Sequence, residues 1–184
     1  MRTKVISGVV KTTPHCTIQR PTSSDVPALK ALIDHAVAQG NVLPRSLETL
    51  YANIHQYFTY VDEQGIGGCC ALCPDGANMA EIRSLVVRDD LRGHGVGVQL
   101  LDACIEEARR QGYHRIYALS RLPEFFERHG FHLIERTALP QKIERDCLQC
   151  SSFAHCESSA VIRDIEPLPI DPDTEQPAVN GKDE

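Results

Sequence analysis

Long hydrophobic runs are absent from this chain of 184 residues. No apolar stretch approaches the roughly 20 residues that a membrane-spanning helix needs. Residues 1–16 carry three lysine or arginine side chains and lack the apolar segment of a signal peptide. We therefore expect a cytoplasmic protein with no membrane partner.

Strong positive charge is absent as well. The formal net charge is −6, and residues 166–184 supply most of it, with six acidic side chains and four prolines against one lysine. This composition is typical of a disordered tail. The rest of the chain is nearly neutral and shows no basic stripe, so we expect no nucleic-acid partner. We predict an N-terminal extension at residues 1–16, one domain at residues 17–165 and a disordered tail at residues 166–184.

The common nucleotide-binding motifs are missing too, since the chain contains neither G-x-G-x-x-G nor Gly-Lys-Ser/Thr. A different glycine-rich turn lies at residues 92–97, between a strand-like run at residues 80–87 and an amphipathic helix that ends near Gly112. Backbone N–H groups at such a turn, together with the helix dipole, favour a bound anion. Glycine also lets a phosphate approach the backbone closely.

This turn has the pattern Arg-x-x-Gly-x-Gly, with Arg92, Gly95 and Gly97 in the three defining positions. Taken alone, the pattern also fits a plain strand-to-helix turn. Residues 124–131, Glu-Phe-Phe-Glu-Arg-His-Gly-Phe, supply a second motif at the usual distance downstream. Together the two motifs resemble the GNAT superfamily of acetyl-CoA-dependent N-acetyltransferases, and the sequence is identified as a member.

The resemblance implies an α/β (α+β) fold with a mixed, mostly antiparallel central sheet, one splayed strand pair and flanking helices. The hydrophobic patterns between residues 17 and 165 fit this architecture. Predicted strands cover residues 17–20, 57–61, 67–72, 80–87, 114–119, 131–139 and 159–165. Predicted helices run from residue 25 to 40, from residue 46 onward, from the glycine turn to residue 112, and over residues 123–128.

The resemblance also implies that acetyl-CoA lies in the gap of the splayed pair. The backbone groups expected to pair with its pantetheine amides belong to Leu85, Val86 and Val87. The residues expected to hold its pyrophosphate are Arg92, Gly93, His94, Gly95, Val96 and Gly97. Phe125 and Phe126 are expected to pack along the pantetheine and the thioester, with simple core packing as the alternative for either ring.

Acetyl transfer needs a deprotonated amine, a polarised thioester carbonyl and a proton for the leaving thiolate. Glu81, at the start of the splayed strand, is the candidate general base, and its alternative is a solvated charge at a strand end. Many GNAT enzymes supply the proton from a tyrosine, but Phe126 stands in that position here. Water or another side chain is then the donor; Tyr117 is one candidate, although a buried strand tyrosine is the other interpretation.

Candidate residues for the acceptor are Arg45, Arg83 and Ser120. Arginine binds carboxylates with two parallel hydrogen bonds, so it suits an acidic amino acid. Arg83 alternates with Glu81 along one strand, which places both on the same face. A structural carboxylate is the alternative partner for Arg83, since burying an unpaired arginine is costly. Ser120 and Arg121 follow the next strand, at the rim of the same gap.

A finer resemblance comes from residues 43–47, 81–87 and 123–131, and also from residues 138–143 and 146–150. They are similar to the short amino-acid acetyltransferases related to the synthase domain of N-acetylglutamate synthase. This implies direct acetylation of the α-amine of L-glutamate, a step of arginine biosynthesis. Another small amine, a protein N-terminus, or a non-catalytic acyl-CoA-binding regulatory module are the alternatives. A homodimer is the assembly we consider.

The chain has eight cysteines, and most fall into two groups. Those at residues 69–73 lie on a predicted strand and its turn, where cysteine behaves as a small hydrophobe. The second group is Cys147, Cys150 and Cys156. Zinc is the alternative there, but a zinc ribbon needs a second C-x2-C pair, so we predict no metal. The expected compartment also disfavours disulfides.

Overall fold

The computed structural model describes residues 17–150 and 153–169. Its seven strands are β1 (Thr17–Gln19), β2 (Tyr57–Asp62), β3 (Gly65–Pro74), β4 (Met79–Val87), β5 (Arg115–Ser120), β6 (His132–Ile134) and β7 (Ser159–Asp164). Its helices are α1 (Val26–Ala38), α2 (Leu47–Ala52), α3 (Val96–Arg110), α4 (Pro123–Glu127) and α5 (Pro140–Lys142), which continues as a π-helical turn, Ile143–Cys147. Short 3-10 turns connect several of these elements.

The sheet has the order β1-β2-β3-β4-β5-β7-β6 and is antiparallel except between β4 and β5. These two parallel strands pair over three positions and separate after Glu81, which lies opposite Tyr117. The rest of β4 then has β3 as its neighbour on one side and a gap on the other. The predicted splayed pair is confirmed.

A β-bulge lies just beyond the point of separation. The register of β3 against β4 shifts between Cys69 and Ala71, and Ser84 on β4 has a φ of 49°. A side chain in this left-handed region strains the backbone, and bulges of this kind redirect a strand next to functional sites. The bulge therefore accompanies the divergence of β4 from β5.

Helices cover both faces of the sheet. On one face, α3 buries a stripe of six residues against a core that also includes Phe126 of α4 and Phe131. On the opposite face, α1 and α2 pack against β2, β3 and β4. Leu139, just before α5, packs beside them against Tyr117 and β7. The opening of the splayed pair thus lies between α1–α2 on one side and the α5 segment on the other.

Two predicted elements differ from the structure. The strand expected at residues 131–139 is only three residues long, because the chain turns away after Ile134 into a 3-10 turn at residues 136–138. Arg136 fixes that turn by donating to the carbonyl oxygens of Cys156 and Ser158. The helical segment at residues 140–147 was not predicted at all.

The remaining expectations concern domain bounds and cysteines. The predicted extension at residues 1–16 and all but four residues of the predicted tail lie outside the described residues. Of the cysteines at residues 69–73, Cys69 and Cys70 are fully buried free thiols, as expected of small hydrophobes, whereas Cys73 is half-buried. Within residues 17–150 and 153–169, no helix is long and apolar enough to span a membrane. The same residues contain no group of three or more His, Cys, Asp or Glu placed to bind a metal, so the zinc alternative gains no support.

Candidate active site

The glycine turn leads directly into α3, as the sequence predicts. Gly95 is the N-cap residue with a φ of 81°, and Gly93 has a φ of 78°. The first helical hydrogen bond runs from the Gln99 N–H to the Gly95 carbonyl oxygen, at 3.1 Å. No side chain caps this helix, so the N–H groups of its first turn keep their hydrogen-bonding capacity for a ligand. The arrangement suits an anion such as a pyrophosphate.

The Arg92 side chain is tied to the protein rather than left free. Its guanidinium pairs with Asp89 at 2.9 Å and donates to Gln39 Oε1 at 2.9 Å. Gln39 follows α1, so Arg92 joins the glycine turn to the other face of the sheet. His94 is exposed, whereas the Val96 side chain is buried in the core. These two residues can therefore contribute to an anion site through their backbone.

The two adjacent phenylalanines of α4 point in different directions. Phe126 is 5% exposed and packs edge-on against Phe131 in the core. Phe125 is only partly buried and faces the start of α3 and the end of β4. A methyl group placed on Gly97 would lie 3.8 Å from the Phe125 ring and 3.7 Å from Val87. Core packing is thus the observed role of Phe126, and Phe125 is the ring beside the gap.

The β4 residues beyond Glu81 form one edge of the gap. Val86 is buried beneath α1, while Leu85 and Val87 are half-buried against the core on the α3 side. Since β5 has already diverged, the backbone of this part of β4 lacks its neighbour on that side. An extended amide chain can add to such an edge like an extra strand.

A compact group of charged residues lies where the two strands separate, and we call it the fork cluster. Its members are Asp75, Glu81, Arg83, Tyr117, Lys142, Arg145 and Asp146. Three cations face three carboxylates, so the cluster has no net charge. Buried charges are tolerated when they are paired in this way.

Glu81 lies at the centre of the fork cluster and is 3% exposed. Its Oε1 accepts from Lys142 Nζ at 2.7 Å, and its Oε2 accepts from Arg83 Nε at 2.6 Å. Arg145 lies farther from Oε2, at 3.4 Å. The alternative of a solvated strand-end charge is therefore wrong. Glu81 and Arg83 share one face, as their alternation predicts.

Tyr117 is fully buried, and its hydroxyl donates to Asp75 Oδ2 at 2.6 Å. Glu81 Oε2 lies 3.2 Å away from the same hydroxyl. Burial raises the pKa of Tyr117, and the charges of Glu81 and Asp75 raise it further. This hydroxyl stays protonated and directed at Asp75, which matches the interpretation of a buried strand tyrosine.

Arg45 lies on the loop before α2 and differs from the other cations. Its one hydrogen bond among the described residues reaches the neighbouring Pro44 carbonyl oxygen at 3.4 Å, and no described carboxylate pairs with it. Its charge nevertheless acts on the half-buried Cys73. Burial raises the pKa of Cys73 to about 11, while Arg83, Arg45 and Lys142 act in the opposite direction. Arg45 therefore acts on the same thiol as Arg83 and Lys142 of the fork cluster.

Ser120 and Arg121 lie at the end of β5, on the other side of the gap. Ser120 Oγ accepts from the Leu122 N–H at 3.0 Å. Arg121 donates to the Gly40 carbonyl oxygen at 3.0 Å and pairs with Glu157 at 3.1 Å. Arg121 thus connects the loop after α1 to the loop before β7.

Four members of the fork cluster were missed from the sequence: Asp75, Lys142, Arg145 and Asp146. Arg145 lies 70 residues from its partner Asp75, and Asp146 lies 63 residues from Arg83. Hydrophobic periodicity says nothing about contacts at this separation. Two signals were available: the resemblance of residues 138–143 and 146–150 to the short amino-acid acetyltransferases, and the dense run of charged residues after Pro140, a proline that suits the first turn of a helix.

Known proteins resemble this chain in sequence. Residues 53–133 match the family model described as acetyltransferase (GNAT) domain. The chain is 30% identical over 142 residues to an uncharacterised N-acetyltransferase of Chlorobaculum tepidum, an alignment that covers 77% of this chain and 92% of that protein. It is 34% identical over 129 residues to the amino-acid acetyltransferase of Mycobacterium tuberculosis, with 68% and 74% covered. It also matches the amino-acid acetyltransferase of Pasteurella multocida at 36% identity, but spans only 29% of that protein.

Solved structures agree with these relatives. N-acetylglutamate synthase from Neisseria gonorrhoeae, complexed with coenzyme A and N-acetyl-glutamate, superposes with a TM-score of 0.74 at 29% identity, covering 83% of this chain and 36% of that chain. A Mycobacterium tuberculosis protein in complex with CoA gives a TM-score of 0.68 at 26% identity, covering 81% of this chain and 99% of that one. With the relatives, the fold and the glycine turn in agreement, the chain belongs to the GNAT acetyltransferase family and is an acyltransferase that uses acetyl-CoA.

Proposed function

We propose that this enzyme transfers the acetyl group of acetyl-CoA directly to the α-amine of an acidic amino acid, L-glutamate. The observation that carries this proposal is the charge of the acceptor side. The fork cluster is neutral, and Arg45 adds one cation with no described carboxylate partner. Glutamate, with two carboxylates and one ammonium group, carries the complementary single negative charge. The relatives named amino-acid acetyltransferase and N-acetylglutamate synthase support the same acceptor.

For the cofactor, the glycine turn would bind the pyrophosphate through the backbone N–H groups of Gly93, Gly95, Val96 and Gly97. The pantetheine would extend along the free edge of β4 from Val87 toward Leu85, with Phe125 packed against it. This path directs the thioester toward the fork, where Glu81 and Tyr117 mark the end of strand pairing. An amine that approaches from the α1–α2 side meets the thioester at that point.

For the acceptor, Arg45 would bind one carboxylate, and Ser120 would contact the substrate from the end of β5. Glu81 would take the proton of the ammonium group. Both oxygens of Glu81 are already engaged by cations, so the proton would reach it through a water molecule or through an exchange of partners. Arg83 would hold Glu81 in place and contribute positive charge to the carboxylate-binding region.

The thiolate of CoA needs a proton when it leaves. Phe126 has no hydroxyl, and the hydroxyl of Tyr117 is within hydrogen-bond distance of two carboxylates of the fork cluster, Asp75 at 2.6 Å and Glu81 at 3.2 Å. The acceptor nitrogen loses two protons, one to Glu81 before attack and one as the C–N bond forms and the C–S bond breaks. We assign the second proton, passed directly or through water, to the leaving thiolate. A thiolate is a good enough leaving group for this to suffice. A role in arginine biosynthesis, a cytoplasmic location and a homodimer remain predictions that accompany this function.

The test is CoA release from acetyl-CoA in the presence of glutamate, glutamine, aspartate, lysine and a peptide with a free N-terminus. We expect selective turnover of glutamate. Turnover of lysine or of the peptide would keep the transferase and replace the acceptor. Tight acetyl-CoA binding without turnover of any amine would favour the regulatory module.

A further inference from the structure

One carboxylate of the fork cluster is surrounded by all three of its cations. Asp146 Oδ2 accepts from Arg83 at 2.5 Å, from Lys142 at 2.9 Å and from Arg145 at 3.1 Å. Burial opposes the ionisation of Asp146, but the hydrogen bond from Lys142 and the charges of the three cations outweigh it and lower its pKa to about 2. Arg83, Lys142 and Arg145 therefore form a preorganised carboxylate site, which we call the three-cation site.

Asp146 is the outermost of the three carboxylates in the cluster. Its side chain is 31% exposed, compared with 4% for Glu81 and 3% for Asp75. The three-cation site therefore opens to solvent on the side that Asp146 occupies. A carboxylate arriving from solution would meet Asp146 before it met either of the others.

The backbone that carries Asp146 is irregular. Residues Ile143–Cys147 form a π-helical turn, closed by a hydrogen bond from the Leu148 N–H to the Ile143 carbonyl oxygen at 3.0 Å. Such turns are rare and are often found at functional sites. Arg145 and Asp146 lie in this turn, and Lys142 directly precedes it. The turn lets the side chains of both Lys142 and Arg145 reach Asp146 Oδ2.

The α5 segment does not depend on Asp146 for its attachment to the sheet. Lys142 is held by Glu81 at 2.7 Å, and Arg145 is held by Asp75 at 2.6 Å. These two pairs involve the most deeply buried carboxylates of the cluster. Asp146 can leave its place while the cations stay where they are.

We propose that Asp146 is an internal substitute for a carboxylate of the acceptor, and that the acceptor displaces it to reach Arg83, Lys142 and Arg145. This inference rests on the proposed function and extends it, because it assigns the second carboxylate of the acceptor to the three-cation site and leaves the first to Arg45. An acceptor without a second carboxylate cannot displace Asp146. Asp146 thereby excludes neutral amino acids. It also lowers the affinity for the acidic acceptor, because that acceptor must displace it.

The proposal predicts that removing the charge of Asp146 strengthens the binding of the acceptor. Since Asp146 occupies the three cations most of the time, the apparent affinity for a carboxylate is reduced by the fraction of time they are free. Asp146→Asn should lower the glutamate KM on the order of tenfold. Glu107→Gln is the matched control, because Glu107 also pairs with two arginines, Arg20 and Arg110, at the far end of α3.

A binding measurement separates this inference from the proposed function. Glutarate has both carboxylates of the acceptor and no amine, so its Kd can be measured by calorimetry with CoA present, whether or not any amine is acetylated. Tighter glutarate binding to Asp146→Asn than to the wild type and to Glu107→Gln supports the three-cation site, even if glutamate turns out not to be the acceptor. Equal or weaker binding overturns the inference, even if glutamate is acetylated.

Should Asp146→Asn lack a cooperative thermal transition, the wild type decides the question by hydrogen exchange. Displacement of Asp146 removes its side-chain bonds to Arg83 and Lys142 while Arg145 stays held by Asp75, so the C-terminal end of the π-helical turn should open more often and the amide of Leu148 should exchange faster when saturating glutarate is added. Slower or unchanged exchange at that amide in the glutarate complex would show that Asp146 keeps its place as a structural partner.

Discussion

Arg45 offers the cleanest single-residue test of acceptor binding, because its guanidinium has no carboxylate partner among the described residues. Arg45→Gln should raise the glutamate KM by about ten- to a hundredfold, since a charge-assisted hydrogen bond contributes about 1.5–3 kcal/mol. The free energy of unfolding should change by less than about 0.5 kcal/mol. Steady-state kinetics and urea unfolding give the two quantities. Arg128→Gln, on the exposed surface of α4's C-terminal end, is the control and should alter neither.

Glu81 differs from Arg45 because catalysis and stability both depend on it. Glu81→Gln should lower kcat and also destabilise the fold by up to about 3–5 kcal/mol, since it removes the buried counter-charge of Lys142 and Arg83 and leaves them only the more exposed Asp146. Glu157→Gln, which removes an exposed partner of Arg121, should change stability by less than about 1 kcal/mol. Unchanged kcat in Glu81→Gln would remove Glu81 from the mechanism, whatever happens to stability.

The ionised carboxylate of Asp146 stabilises the folded protein, and this stabilisation is lost at acid pH. Its pKa is lowered from 3.8 to about 2 in the folded protein, so the folded state favours the ionised form. This contribution is complete above the unfolded pKa and is lost as the pH falls from about 4 to about 2. Asp146→Asn should therefore be less stable than the wild type at pH 6, and the difference should shrink over that interval. Urea unfolding at several pH values measures it; a pH-independent difference would contradict the assignment.

At this scale the sequence predicted which residues share a face but not what they touch. The alternation of Glu81 and Arg83 placed them on one face correctly, because the geometry of a single strand determines which face each side chain lies on. Their partners Lys142 and Asp146 lie on a segment about sixty residues away, and only the folded chain brings them close. The burial of Glu81 depends on that segment, which explains why a solvated charge was a reasonable alternative from the sequence.

At the scale of the elements, a substitution in the first turn of α3 should weaken cofactor binding without lowering stability. Gly97 has an ordinary backbone conformation, and a methyl group there would meet only Val87 and Phe125, at 3.7 and 3.8 Å. Gly97→Ala should leave the fold as stable as before or more stable by up to about 1 kcal/mol. The added methyl group lies beside the gap and the free N–H groups, so the Kd for CoA should rise on the order of tenfold.

Gly95→Ala is the contrasting change in the same turn. Gly95 has a φ of 81°, so alanine there is strained by about 1–2 kcal/mol even though nothing lies within 4 Å of the added atom. Calorimetric titration with CoA and thermal unfolding of both variants check the pair. Equal CoA affinity in Gly97→Ala and the wild type would argue against a cofactor path along β4 and Phe125.

The elements themselves were largely predictable where hydrophobic periodicity is strong. α1 and α3 each bury a regular stripe and end near glycines with positive φ, Gly40 and Gly112. The α5 segment was missed because it is short and polar, so it shows no apolar period. The strand after α4 was predicted too long, because a side-chain contact made by Arg136, rather than any local pattern, ends it.

On the scale of the whole molecule, the segment that matches the family model is not a complete folding unit. That segment ends at residue 133, whereas β7 lies between β5 and β6 and pairs with both. A chain that ends at residue 133 should show no cooperative thermal transition, since it loses β7 and the fork-cluster residues Lys142, Arg145 and Asp146. A chain that ends at residue 169 keeps every described strand and should unfold within about 4 °C of the full-length protein. Circular dichroism during heating distinguishes the two.

The fork cluster is assembled from two parts of the chain that can vary separately. The sheet supplies Glu81, Arg83 and Tyr117, and the turn between β3 and β4 supplies Asp75. Everything on the α5 segment lies after the last residue of the family match. Exchanging residues 139–158 with the corresponding stretch of a relative should therefore transplant acceptor preference and leave CoA affinity unchanged. Substitutions in this one short segment can then change which amine is accepted, while the glycine turn and the splayed strands stay unchanged.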